Sequence, residues 1–346
     1  MRKLTGWSLG VALLLTAGAL YLLWLVRVVA LVLFGGILLA LFLHRTARLV
    51  RRLLPISDTL AVLLVLALLL AVLAGSGSLF AATIILQFEE LAHIVPEALI
   101  RASAALERFP ALQRQLEFFL PSSGSYIAPA HQVAAGLRGA VSTTSWVVGI
   151  GFLAVILALY TALNPGLYVR GLLHLVPPPL RGRALLAVQR STSVLWWWML
   201  GRAATMLIIG TLTTVSLWLL HIPLAGSLGL LAGLFSFVPY IGPILASVPA
   251  VLVGFTQGPG VVILVLAVYI GVQFIEGNIL TPVLERRMIR LPPSLAVSMQ
   301  LIAGVLAGPV GVMLASPLTA LAIVLTQTFY VEGMLGDETA QGLAPQ

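Results

Sequence analysis

"FVPYIGPILASVPAVLVGF", residues 237–255, is almost wholly apolar, yet it holds Pro239, Pro243 and Pro249, with Gly242 between the first two. Proline has no amide donor and breaks the hydrogen-bond ladder of a helix interior. In hydrocarbon an opened ladder is costly, because no water replaces the lost partner. Such punctuation predicts a discontinuous helix, with Pro239, Tyr240, Gly242 and Pro243 as its elbow. Carbonyls freed there can bind a cation, and exposed helix ends favour ions or polar groups. Simple kinks used for helix packing are the plainer alternative.

The rest of the chain supplies an apolar setting for that elbow. Of 346 residues, 60% are hydrophobic and only 9% charged, against roughly 25% charged in a soluble domain. No water-soluble packing hides so much apolar surface. The composition predicts an all-α polytopic membrane protein with about eight membrane segments, broken or re-entrant helices among them. The net charge of +8 comes from 19 Lys and Arg against 11 acids. Much of the excess borders apolar runs, which is the positive-inside pattern and not a nucleic-acid footprint. The absence of cysteine excludes disulfides, thiolate metal sites and cysteine nucleophiles.

The apolar runs set the organisation. Residues 1–83 read as N-terminal membrane spans. The first run mimics a signal peptide, but apolar sequence resumes after Arg27, so a retained span is expected. Leu9–Val26 and Val28–Leu43 form a pair hinged near Arg27, and Thr59–Ala82 leads outward. Between them "HRTARLVRRLLP" carries Arg45, Arg48, Arg51 and Arg52, which places this loop and both termini in the cytoplasm. Residues 84–140 mix charge with leucine at helical spacing. Four arginines face five glutamates there, a balance that suits a small helical extramembrane module on the outer side. Residues 141–220 hold further spans joined by a cytoplasmic amphipathic connection, with Trp196–Trp198 as an interfacial anchor. Residues 221–330 form a core with broken helices. Residues 331–346 read as a flexible tail.

Chemistry concentrates in residues 221–330. Glu276 follows a mostly apolar stretch, and a buried carboxylate is costly unless paired, hydrated or protonated. Gln273 lies three residues before it and Asn278 two after, so the trio is a candidate proton or cation site. The alternative is a polar latch that fixes a break at Gly277. Gly277–Pro282 and Gly308–Pro309 are further break candidates. Leu295–Gln327 would extend about 50 Å as one helix, far beyond a roughly 30 Å hydrocarbon core. A bend or hairpin at Gly308 and Pro309 resolves that mismatch. No phosphate loop, clustered histidine set or serine–base arrangement appears, so neither an enzyme, a cofactor nor a bound metal is expected.

"SLGLLAGLFSFVPYIGPILASVPAVL" from Ser227, "VQFIEGNILTPVL" and "GPVGVMLASPLTALAIVL" together resemble the AI-2E family of bacterial transporters. The resemblance covers nearly the whole chain and is strongest from about Trp198 to Leu325. It implies a secondary transporter or exporter of a small solute in the bacterial inner membrane. It also implies coupling to H⁺ or Na⁺, including antiport, and a homo-oligomer, with pentamers known. Membrane lipids and the solute are the expected partners. Family members commonly read Gly-Gln near the start of the fifth span, whereas this chain has Gly201-Arg202. Arg202 either snorkels to headgroups or faces a polar route, where it attracts an anion or displaces a cation site. The competing reading is a membrane scaffold or regulatory protein acting through residues 84–140.

Overall fold

A computed structural model describes residues 6–72, 74–75, 149, 151–284 and 292–336. The 84–140 module, the Glu285–Arg290 loop and residues 337–346 lie outside the described residues. Among those described the chain is helical and contains no strand. Among the described residues four helices are long and apolar enough to cross a membrane, or five if a bent pair counts as one span. The all-α polytopic reading therefore holds. The described chain divides into two compact units. One comprises Met1–Val65, Ile150–Met199 and Arg287–Gln346; the other comprises Leu66–Gly149 and Leu200–Arg286.

In the first unit, α1 (Gly6–Leu53) is a single uninterrupted helix of 48 residues. This corrects the hinge expected near Arg27. No proline or other breaker interrupts the ladder there. Arg27 instead lies along its own helix, 3.9 Å over the Trp24 ring, and donates to the Trp24 carbonyl at 3.1 Å. A lone arginine accommodated this way need not break a helix. Helix α2 (Asp58–Val72) follows. Helix α3 (Gly151–Leu163) meets α4 (Pro165–His174) at an 89° bend, where Pro165 restarts the ladder.

Helix α5 (Arg181–Leu219) also runs unbroken for 39 residues. The expected interfacial helix and the following span are thus one element. Trp198 is buried, and Trp196 tilts against Phe42 at 6.3 Å beneath Arg45. Trp198 thus packs inside the protein, while Trp196 is half-buried. Phe34, Leu38 and Leu195 form a core with Leu314 and Leu318. Arg190 bonds both carboxylate oxygens of Glu332 at 2.8 and 2.7 Å, and Arg183 donates to the Gly333 carbonyl.

Helix α9 (Pro293–Thr326) contains a sharp interruption, with Ala307 and Gly308 outside helical geometry. Gly311 lies against the Ala303 carbonyl and Gly304 against Val312. Residues eight apart in a straight helix stand about 12 Å apart, so the chain doubles back at Gly308. Its φ of 64° and ψ of −149° are open almost only to glycine.

In the second unit, the later part of α5 joins α6 (Ala225–Phe235), α7 (Ile241–Gln257) and α8 (Pro259–Ile275). Leu217, Leu228, Ala232, Ala246, Ala250 and Val265 belong to one buried core. At 11 residues, α6 reaches about 16 Å, too short to cross a bilayer alone.

Candidate functional site

The elbow forms where residues 237–255 predict it. Helix α6 ends at Phe235, Ser236 caps it, and α7 starts at Ile241. Tyr240 holds φ 66° and ψ −52°, a strained conformation for a residue with a Cβ. A Cβ on Gly242 would collide with the Phe235 carbonyl, so only glycine lets the two backbones approach. Pro243 sits in the first turn of α7, where an amide donor is not required. Pro249 lies inside α7 without ending it.

Against this elbow the structure brings Arg202 and Glu276. Arg202 projects from α5, and its Nη1 lies 3.9 Å from Glu276 Oε1. The same Nη1 donates to the Ser236 carbonyl at 3.4 Å. Only 18% of the Arg202 side chain and 9% of the Glu276 side chain are exposed, so the pair is shielded from solvent. Ser236 terminates a helix, where carbonyls lack intrahelical donors and favour a cation. The cation engaging the elbow carbonyl is thus the protein's own guanidinium. In low dielectric the two opposite charges offset the desolvation that either alone would suffer.

Glu276 opens a π-helical turn, Glu276–Leu280, that continues α8. Such wider turns recur at functional sites because they re-aim a side chain without ending the helix. The ladder therefore does not break at Gly277, as the sequence suggests, but widens. Pro282 falls in the first turn of the next short helix, Thr281–Leu284, where its missing donor is tolerated. Gln273, one turn before Glu276, hydrogen-bonds the carboxylate. Asn278 instead donates to the Phe274 carbonyl at 3.0 Å on its own helix. The structure thus joins Glu276, Gln273 and Arg202, and leaves Asn278 apart. Gly308 and Pro309 belong to the other compact unit.

Several polar residues escape a reading by motif alone. Glu276 Oε2 and the Tyr269 hydroxyl are buried without a hydrogen-bond partner. Tyr269 precedes Glu276 by seven residues, two helical turns, so both lie on one face of α8. On α5, buried Thr205 and Thr213 follow Arg202 at helical spacing. Thr205 returns its hydroxyl to the Gly201 carbonyl, while Thr213 Oγ1 has no partner. Spacings of three, seven and eleven residues are the signal that would have found them. Gly229 and Gly233 form a Gly-x-x-x-Gly face on α6. A Cβ on Gly233 would stand 2.6 Å from the Met206 carbonyl and 3.1 Å from the Gly210 Cα. This small-residue face lets α6 lie backbone to backbone on α5. Among the described residues no group of three His, Cys, Asp or Glu could hold a metal ion.

Comparison with known proteins agrees with this architecture. An aligned stretch of 125 residues is 36% identical to YrrI of Bacillus subtilis (strain 168), covering 36% of this chain and 35% of that protein. A stretch of 120 residues is 30% identical to YueF of the same organism, covering 35% and 32%. The matches thus span about a third of either Bacillus protein. The AI-2 transport protein TqsA of Escherichia coli (strain K12) is 29% identical over 290 residues, covering 81% of this chain and 78% of TqsA. The profile described as AI-2E family transporter matches residues 11–330. With the elbow and the buried pair inside a match that covers nearly the whole chain, the chain belongs to the AI-2E transporter family.

Proposed function

We propose that the protein is a secondary transporter or exporter of a small solute across the bacterial inner membrane, with H⁺ or Na⁺ coupled through Glu276. The Arg202–Glu276 pair beside the elbow carries this reading. A charge pair inside an apolar helical protein is poor as simple glue, since desolvation cancels most of its attraction. It suits a site whose charge is meant to change. A proton or cation taken up by Glu276 cancels the negative charge facing Arg202. The guanidinium, still held by Ser236, then presents its charge to a polar or anionic solute. Loss of the proton or cation restores the pair and releases the solute. Family membership and the name of TqsA support transport as the activity. The scaffold reading rests on residues 84–140, outside the described chain.

The test is solute uptake into liposomes under imposed pH and sodium gradients. Glu276→Gln keeps size and hydrogen-bonding capacity but removes the charge. Coupled flux per assembled protein should collapse and its gradient dependence vanish, even though the uncompensated Arg202 charge lowers the melting midpoint. Unchanged flux and gradient dependence would sink the coupling role.

A further inference from the structure

A second polar site lies in the first compact unit, at the end of α1. A cavity of about 240 Å³ opens there, lined by His44, Arg48, Arg51, Asp58, Val62 and Leu163 among others. That volume is far above the roughly 10–15 Å³ that admits one water. Its lining residues come from α1, the start of α2 and the end of α3, and all belong to the first unit. Arg51 pairs with Asp58 and also donates to the Ile56 carbonyl. Asp58 is 74% exposed, so it neutralises Arg51 weakly. Arg48 has no acidic partner among the described residues. The His44 ring Nδ1 lies 2.9 Å from the Ala162 carbonyl and must donate there. In the neutral ring its Nε2 is then an acceptor, suited to a hydroxyl.

We propose that this cavity binds the phosphodiester headgroup of an anionic membrane lipid with a hydroxylated head, such as phosphatidylglycerol. Two guanidinium groups against one exposed carboxylate leave the lining net positive, which favours an anionic phosphodiester. Guanidinium groups recognise phosphate oxygens through paired N–H donors. The His44 acceptor fits a glycerol hydroxyl. The source is the bilayer, because Leu49, Leu53 and Leu54, close in sequence to the lining residues Arg48 and Arg51, are exposed and offer apolar surface to acyl chains. Basic pockets between membrane helices hold anionic headgroups for this reason. The site engages neither Arg202 nor Glu276, so its fate is independent of the transport reading.

Native mass spectrometry of the full-length protein, titrated with phosphatidylglycerol or phosphatidylcholine, tests this. Phosphatidylglycerol should be retained preferentially. Arg48→Gln should lower its occupancy about five-fold, the effect of one basic contact near a membrane surface. Arg52→Gln makes the same charge change outside the cavity lining and should shift occupancy less than about two-fold. Asp58→Asn should raise occupancy, a gain that misfolding cannot imitate. Equal losses in Arg48→Gln and Arg52→Gln would overturn the site in favour of diffuse attraction. Displacement of the lipid by inorganic phosphate at comparable concentration would overturn the lipid assignment in favour of a free-phosphate site. Equal retention of the two lipids would overturn it outright.

Discussion

Arg202 illustrates how one side chain depends on its partner. Replacing it with glutamine leaves Glu276 buried without its counter-charge, and breaking such a pair costs about 3–5 kcal/mol. Arg202→Gln should therefore lower the thermal unfolding midpoint in detergent. The double variant Arg202→Gln with Glu276→Gln should recover much of that loss, because neither charge is left alone. Failure of the second substitution to rescue the first would show that the 3.9 Å pair contributes little. Glu276 was legible as a polar site because a carboxylate after an apolar run is expensive. Arg202 was legible as a candidate on its own, but its pairing with Glu276 was not. Arg202 lies 74 positions earlier, and only packing of α5 near α8 brings them together.

Helices show a different division. The elbow at Pro239–Gly242 was readable, because proline and glycine act through local geometry alone. Converting Pro239 and Pro243 to alanine should favour a continuous helix there and reduce transport while expression survives. Full transport in that double variant would reduce the elbow to a packing detail. Arg27 shows the reverse case, since charge interrupts a hydropathy pattern without interrupting a ladder. For the same reason α5 continues through Arg190 and the tryptophans into its membrane segment. The α5–α6 contact makes a further prediction. Gly233→Leu would drive a side chain into the Met206 carbonyl and Gly210, so it should separate the helices. Overpacking typically costs about 1–3 kcal/mol, and more where the obstacle is backbone. A melting curve equal to wild type would disprove this close approach.

At the scale of the molecule, arginine distribution predicts Arg45–Arg52 in the cytoplasm and residues 84–140 outside, while the unbroken α1 removes the double crossing that would have returned the N-terminus to the side of Arg45–Arg52. Cysteines placed at Ser57 and Ser123 in this cysteine-free chain should react from opposite faces of intact cells and inverted vesicles. Labelling from one face only would overturn the layout. Assembly is a separate expectation, carried by family resemblance. The purified protein should run as a homo-oligomer, a pentamer, by light scattering in detergent. A monomer that retains full flux would remove oligomerisation from the transport reading.

What the sequence determined by itself was whatever depends on composition or neighbouring residues. Hydropathy set the membrane class, since no fold hides so many apolar groups from water. Pro239, Gly242 and Gly308 marked the reversals, since their backbone constraints act within a few residues. Tertiary structure decided what depends on distant contacts. It placed Arg202 on the elbow carbonyl and beside Glu276, and turned Asn278 back onto its own helix. It drew Gly210 against Gly233 and gathered His44, Arg48 and Asp58 around one cavity. A periodic pattern says which face a residue occupies on its own helix. Which face of another helix meets it follows from close packing, where backbone clearance at single glycines selects the contact.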